Sequence, residues 1–185
     1  MNCTCIEKYG IILSLLTNDK IELVRKWRND PKVSQYMEYR KIISSEQQKK
    51  WFNSINNGKD NFYWIIKYKD EEIGLINIKD VDYEKLTGES GVFIYSDKYL
   101  STDISYRAHL AMFDYIFNIV GLEMVYCHIL KTNIRAQRFT LYIGMKKADG
   151  QENIENQLYI LTKNEYFNNI NRIRFIDKYN KLSNK

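Results

Sequence analysis

The sequence predicts a mixed α/β (α+β) fold, a mostly antiparallel sheet of six to seven strands with helices on both faces. Segments 62–68 and 73–81 alternate apolar and polar residues around a short turn, as two antiparallel strands do. A strand at 91–95 is then followed by a long amphipathic helix and another strand. Local strand pairs combined with crossover helices favour a mixed sheet covered on both sides.

Length and composition fit one globular domain. The 185 residues are 44% hydrophobic and 14% aromatic, and one proline with eight glycines leaves little room for linkers. No apolar run reaches the length of a membrane span, and residues 1–8 lack the basic start and apolar middle of a signal peptide. Three cysteines without a framework fit a reducing compartment, so we expect a cytoplasmic protein.

The net charge of +5 excludes few classes of function, because a mild basic surplus usually marks a solvated surface. It can also draw in a polyanionic ligand. No basic run is interleaved with a reader motif, so we expect no nucleic-acid partner. Cys3 and Cys5 could form half a metal site, but Cys127, His109 and His128 show no zinc spacing. We therefore expect no metal and a frayed N-terminus.

The N-terminal part predicts a strand at 9–16 followed by two or three helices. Asn18 or Asp19 can cap the first helix, and Pro31 permits a short second one from Asp30. The apolar residues of the first helix recur at helical spacing: Ile21, Val24 and Trp27.

A third helix is predicted from its capping residues. Ser44 and Ser45 precede Gln47 and Gln48 at the spacing of a capping box. The helix would stop near Gly58. Its buried side would carry Trp51, Phe52 and Ile55.

The central helix has one clear apolar face and ends at Gly121. Its stripe consists of Ile104, Ala108, Ala111, Met112, Tyr115, Ile116 and Ile119. A strand at 124–130 follows, then a helix capped by Asn133 and a strand at 154–161. We expect residues 1–163 to form the domain and 164–185 an amphipathic C-terminal helix with a basic tail. That amphipathic segment holds Tyr166, Ile170 and Ile173.

Three motifs in this order resemble the GNAT family of acyl-CoA-dependent N-acetyltransferases, over the chain to about residue 163. They are Trp27-Arg28-Asn29-Asp30-Pro31-x-Val33 with Tyr36-Met37 and Trp51-Phe52, then Ile73-Gly74 with Ile76-x-Ile78, and Asn133-x-x-Ala136 with Gly144-Met145. The first is similar to two branches of the family. One acetylates ribosomal-protein N-termini, and the other a 4-amino sugar nucleotide in pseudaminic-acid synthesis.

The chain length, the run from Arg28 to Met37 and the segment 42–44 look closest to the sugar-nucleotide branch. The resemblance then implies a UDP-linked 4-amino-4,6-dideoxy sugar, acetylated on its amine by direct attack on the thioester of acetyl-CoA. A protein N-terminal amine is the alternative acceptor. A non-catalytic acyl-CoA-binding module is a third hypothesis, and a homodimer is possible.

The resemblance also implies where acetyl-CoA lies. The strand edge at Phe93, Ile94 and Tyr95 would bond the pantetheine, and Asn133, Arg135 and Ala136 would flank it. The pyrophosphate would meet the start of the central helix, where free N–H groups favour anions. The family's loop carries glycines there, but this chain has none and offers hydroxyls instead. The residues of this loop are Leu100, Ser101, Thr102, Asp103, Ile104 and Ser105.

For catalysis, Glu89 is the first candidate for the general base, with Asp82 and Tyr83 as weaker ones. The family often places a proton-donating tyrosine seven residues after the asparagine. That position is Thr140, which can hydrogen-bond sulfur or position water but is too weak an acid. Tyr142 should face elsewhere on the helix. We expect His109 on the helix flank rather than in the site.

For the acceptor, the resemblance implies four contacts in the N-terminal part. Arg28 would grip a diphosphate and Met37 would pack against the base, with Glu38 close by. Gln48 stands where the sugar-nucleotide branch has a histidine. Each also has an ordinary structural role: Arg28 suits a helix C-terminus, and Met37 suits a core.

Overall fold

The computed structural model describes residues 5–55 and 58–183. One eight-stranded sheet runs through it in the order β1-β2-β3-β4-β5-β6-β8-β7, one strand more than the upper expectation. Every neighbouring pair is antiparallel except β5 and β6. The strands are β1 Cys5–Lys8, β2 Ile11–Leu15, β3 Phe62–Tyr68, β4 Glu71–Asp82, β5 Thr87–Ile94, β6 Met124–Leu130, β7 Lys146–Lys147 and β8 Asn156–Thr162.

Helices cover both faces of this sheet, as the sequence predicts. They are α1 Ile21–Asn29, α2 Pro31–Ser34, α3 Ser45–Ser54, α4 Ile104–Tyr115, α5 Ile134–Tyr142, α6 Lys163–Phe167 and α7 Ile170–Ser183. No helix in the described ranges is long and apolar enough to cross a membrane. The same residues hold no group of three or more metal-ligating side chains, and Cys3 lies outside them.

The chain begins with a hairpin, so the prediction of one strand over 9–16 is wrong at its start. Tyr9 and Gly10 have φ values of 56° and 70° and form the turn between β1 and β2. Tyr9 adopts this left-handed conformation although it is not a glycine, which local patterns do not predict. Cys5 therefore lies in a paired strand rather than in a frayed terminus.

The capping predictions hold for α2 and α3. The Asp30 carboxylate accepts the Lys32 N–H at 3.0 Å, ahead of Pro31. Ser44 and Gln47 form the capping box of α3 in both directions. At α1 the predicted cap is wrong, because Asn18 and Asp19 lie in a 3-10 turn that leads into the helix without a side-chain cap.

The sheet separates two hydrophobic layers. On one face α1 and α3 pack Ile21, Val24, Trp27 and Ile55 against the sheet, while Trp51 and Phe52 are half-buried. On the other face α4 and Tyr166 of α6 pack against the second core cluster. Because both faces are covered, β3 is buried from Phe62 to Ile66 rather than on alternate residues.

The long helix α4 continues as one π turn, 116–120, and ends at Gly121 with φ of 85°. Most of its predicted apolar stripe is buried, but Ile119 is 64% exposed at the widened turn. The π turn adds a residue to the helical repeat and rotates Ile119 out of the stripe.

The C-terminal segment docks through a buried charge. Asp114 of α4 accepts hydrogen bonds from Tyr166 of α6 at 2.7 Å and from Arg172 of α7 at 3.0 Å. Lys8 and Tyr9 bond its second oxygen, at 2.5 and 2.7 Å. Of the apolar residues in this segment, Tyr166 is buried, whereas Ile170 and Ile173 are exposed and other residues of α7 face the core. These are Phe175, Ile176 and Tyr179.

Candidate active site

Two central strands diverge and open the sheet. β5 pairs with β6 only from Thr87 to Glu89, against 124–126, although β5 continues to Ile94 and β6 to Leu130. Beyond Glu89, the side of β5 that faces β6 therefore has no strand partner among the described residues. Backbone N–H and C=O groups left open in this way are available to an extended ligand.

A cleft of about 840 Å³ fills this opening and continues under α1 to α3. The volume lies in the usual range of small-molecule sites. One half is bounded by β5, the start of α4, and α5. The other half is bounded by α1 to α3 and by strands β3 and β4. We call them the cofactor half and the acceptor half.

The start of α4 offers unpaired backbone donors to the cofactor half. The Asp103 carboxylate makes no capping bond and turns to Arg107, at 2.8 Å. The Thr102 hydroxyl is 3.4 Å from the Ile104 N–H. Within the described chain, no acceptor bonds the N–H groups of Ser105 and Tyr106. The helix end can therefore bind an anion without glycines.

The start of α5 closes the other side of the cofactor half. The Asn133 side chain caps α5 by accepting the Ala136 N–H at 3.1 Å, which leaves its amide N–H₂ available to a ligand. Arg135 donates to the Leu100 carbonyl across the groove. All four residues line the cleft.

Of the predicted cofactor residues, eight line the cleft and four do not. Those that line it are Phe93, Ile94, Leu100, Thr102, Ser105, Asn133, Arg135 and Ala136. Tyr95 instead stacks on Trp27, and its hydroxyl donates to Asp30. Ile104 is buried in the core, Asp103 faces Arg107, and Ser101 is exposed in the loop.

Glu89 lies at the point where the strands part. Its Oε2 is 2.9 Å from the Lys79 ammonium, and its Oε1 is 3.2 Å from His128 Nδ1. All three residues line the cleft. Asp82 and Tyr83, the weaker candidates for the base, do not line it. The sequence did not indicate Lys79 or His128, because their contact depends on strand register.

Thr140 is buried in the cleft wall, next to the Cys127 thiol. Burial raises the pKa of Cys127 to about 12. His109 also lines the cleft and is 5% exposed, so the prediction of a flank position is wrong. Burial lowers the pKa of His109 to about 4, although its hydrogen bond to the Ser105 carbonyl opposes this. Tyr142 contacts Tyr106 and does not line the cleft.

The acceptor half contains the four predicted acceptor residues: Arg28, Met37, Glu38 and Gln48. In the described ranges no carboxylate pairs with Arg28, and burial lowers the pKa of its guanidinium. Gln48 is 4% exposed and its amide nitrogen has no hydrogen-bond partner there. Tyr36 and Tyr39 add two exposed rings at the rim. These groups suit an anionic ligand with a planar ring.

A splayed sheet edge beside a helix start that can bind an anion defines an acyltransferase of the GNAT type. The chain belongs to the GNAT acetyltransferase family, because the model of the acetyltransferase (GNAT) domain matches residues 11–146. It is an N-acetyltransferase of this family.

Two curated relatives match the sequence. The acetyltransferase PseH of Campylobacter jejuni is 26% identical over 136 residues, which cover 69% of this chain and 81% of the relative. The uncharacterized protein MJ1062 of Methanocaldococcus jannaschii is 26% identical over 159 residues, 82% of this chain. The matched region is only 32% of that protein's length.

Among solved structures, an apo FdhC described as a nucleotide-linked sugar GNAT superposes with a TM-score of 0.77. It is 21% identical, and the match covers 95% of this chain and 98% of the other. At this identity the likeness shows the fold.

Proposed function

We propose that this protein transfers the acetyl group of acetyl-CoA to the amine of a nucleotide-linked amino sugar of the UDP-4-amino-4,6-dideoxy type. The proposal is carried by the Arg28 guanidinium, which has no pairing carboxylate among the described residues and lines the same cleft as Tyr36 and Tyr39. An unpaired cation suits a diphosphate, and exposed rings suit a base. The description of FdhC as a nucleotide-linked sugar GNAT points in the same direction, and PseH is named as an acetyltransferase.

Acetyl-CoA fits the cofactor half. The open edge from Ser90 to Ile94 provides main-chain partners for the pantetheine arm and the acetyl carbonyl. The N–H groups of Ser105 and Tyr106 provide donors for the pyrophosphate, without opposition from the Asp103 carboxylate. The glycine-free loop is therefore compatible with the cofactor.

The amine attacks the thioester directly. Cys127 is the thiol that the described cleft contains, and its raised pKa keeps it protonated and unreactive near neutral pH. Main-chain N–H groups of β5 stabilise the developing oxyanion. Because Thr140 is too weak an acid, the CoA sulfur leaves as thiolate or takes its proton from water.

Release of free thiol from acetyl-CoA tests this function. The UDP-4-amino sugar should release thiol, and the otherwise identical 4-hydroxy sugar nucleotide should not. Thiol release with a ribosomal-protein N-terminal peptide instead would identify the acceptor as a protein amine. Acetyl-CoA binding without turnover on either acceptor would identify a non-catalytic module.

A further inference from the structure

Three charged or titratable side chains meet at the last rung before β5 and β6 part. The two carboxylate oxygens of Glu89 have different partners. Oε2 pairs with Lys79 at 2.9 Å and Oε1 with His128 Nδ1 at 3.2 Å. Both oxygens of Glu89 are therefore already engaged by neighbouring side chains rather than directed at a substrate amine.

Strand register places this cluster toward the acceptor half. Lys79 is opposite Glu89, and Glu89 is opposite Tyr126, so His128 projects on the same face two residues further along β6. Phe93 lies four residues after Glu89 on β5, so it points to the same face of the sheet, and it packs in the α1–α3 layer. The His128 ring thus lies at the mouth of the opening, on the side from which an acceptor enters.

The hydrogen bond to Glu89 fixes which ring nitrogen is free. A carboxylate only accepts, so neutral His128 carries its proton on Nδ1. Nε2 then has a lone pair and, among the described residues, no hydrogen-bond partner. The side chain is 37% exposed and His128 lines the cleft.

We infer that His128 is the catalytic base that deprotonates the acceptor amine, and that Glu89 is a positioning residue that sets its tautomer. This inference rests on the proposed function. It replaces Glu89 as the direct base, because both oxygens of Glu89 are engaged. Lys79 holds the carboxylate in place, as it stays cationic: burial alone would lower its pKa, but the bond to Glu89 and nearby carboxylates raise it.

The proton and electron transfers balance. His128 Nε2 takes one proton from the ammonium group of the acceptor. The freed nitrogen lone pair forms the C–N bond, and the C–S bond breaks with its electron pair on the CoA sulfur. The second amine proton passes through water to sulfur, giving the thiol, and His128 releases its proton to solvent through its exposed edge.

Other titratable groups near His128 do not compete for this role. Burial raises the pKa of Tyr63 to about 12, and burial with nearby carboxylates also raises that of Tyr126, so both phenols stay protonated near neutral pH. The groups that face the cluster are Arg28 on α1, Tyr63 on β3, Lys79, Asp80 and Asp82 on β4, Glu89 on β5 and Tyr126 on β6.

The test compares His128→Gln, His128→Ala and Glu89→Gln by the pH profile of turnover on the UDP-4-amino sugar. His128→Gln should lower kcat roughly 100-fold or more and remove the acid limb, while the affinity for acetyl-CoA stays unchanged. Added imidazole should restore turnover in His128→Ala and should leave the turnover of the control, Glu123→Gln, unchanged. Glu89→Gln should lower kcat, because the carboxylate that sets the imidazole tautomer is gone.

The control is Glu123→Gln, which removes an exposed carboxylate beside the other end of β6 and leaves the cleft intact. Unchanged kcat and an unchanged profile in a folded His128→Gln protein would overturn the inference. Loss of turnover without imidazole rescue and without change in the profile's shape would assign His128 a structural role only, which also overturns it.

A second measurement does not depend on the acceptor. The chain has two histidines, so ¹⁵N imidazole spectra with His128→Gln assign both rings. Neutral His128 should carry its proton on Nδ1, and Glu89→Gln should shift the tautomer. If wild-type protein does not turn over the sugar nucleotide, the proposed function fails, whereas the tautomer separately tests the positioning of His128 by Glu89. A proton on Nε2 would contradict it.

Discussion

At the scale of single residues, the surroundings of Arg28 and His109 determine whether each side chain is charged and available to a ligand. Arg28 projects into the acceptor half without a pairing carboxylate in the described chain, so its charge is available to a ligand. His109 is buried against Phe113 and Phe139 and is neutral. Each state leads to a measurable consequence.

Replacing Arg28 should weaken acceptor binding selectively. In Arg28→Gln the diphosphate loses a charged hydrogen-bond donor, which costs about 1.5–3 kcal/mol and raises KM for the sugar nucleotide roughly 10- to 100-fold. Lys26→Gln, an exposed cation of the same helix, is the control. Steady-state kinetics with both substrates check this. An equal effect on acetyl-CoA affinity would place Arg28 elsewhere in the mechanism.

His109 should make the protein sensitive to acid. Its folded pKa of about 4 lies below the unfolded value of about 6.5, so the unfolded chain binds the proton first. The free energy of unfolding should therefore fall by about 3 kcal/mol as pH drops through this window. Urea unfolding at several pH values should show the loss reduced in His109→Phe and retained in His128→Gln. Equal loss in all three proteins would refute this assignment.

The local roles of single residues were predictable, whereas their long-range partners were not. Asp30, Ser44 and Asn133 cap helices because their side chains bond N–H groups two or three residues away. Glu89 and His128 are far apart in the sequence and meet only through the register of β5 and β6. No local spacing encodes that contact.

At the scale of elements, α4 has two roles: it packs in the core, and its first turn borders the cofactor half. Its buried face anchors it to the sheet, while its first turn leaves the N–H groups of Ser105 and Tyr106 without acceptors in the described chain. The periodic stripe predicted the first property. The second depended on Asp103 bonding Arg107, which the sequence did not reveal.

A carboxylate placed at the start of α4 should affect the stability of the protein and its affinity for acetyl-CoA in opposite directions. Ser105→Glu adds a negative charge in the first turn, which stabilises the helix by about 0.3–1 kcal/mol. The same charge repels the pyrophosphate, so acetyl-CoA affinity should fall roughly tenfold or more. Ser105→Ala, which keeps the backbone N–H, is the control. Titration calorimetry and thermal unfolding measure both effects; undiminished affinity in Ser105→Glu would exclude the helix start as phosphate site.

The docking of α7 should depend on Asp114. Asp114→Ala leaves Arg172 and two tyrosine hydroxyls without their buried partner, a loss of about 3–5 kcal/mol. Amide hydrogen exchange should then accelerate over 170–183 before it accelerates in β3. Asp177→Ala, an exposed carboxylate of α7, should leave exchange unchanged. Equal protection in both variants would show that the apolar contacts of α7 hold it without the charge.

At the scale of the molecule, the two halves of the cleft meet where the sheet opens. The element order predicted this architecture, since hairpin strands followed by crossover helices allow few arrangements. The N-terminal hairpin escaped prediction because its turn uses a left-handed tyrosine, and β7 escaped it because that strand is only two residues long. The site depends on where the pairing of β5 with β6 stops, and apolar patterns do not determine that point.

A crystal structure with CoA and the UDP-4-amino sugar bound together tests the central claim most directly. We expect the CoA pyrophosphate on the N–H groups of Ser105 and Tyr106, and the pantetheine along Ser90–Ile94. The sugar diphosphate should lie at Arg28, with the amine between the CoA sulfur and His128 Nε2. CoA bound away from the α4 start, or a sugar nucleotide outside the acceptor half, would contradict the account.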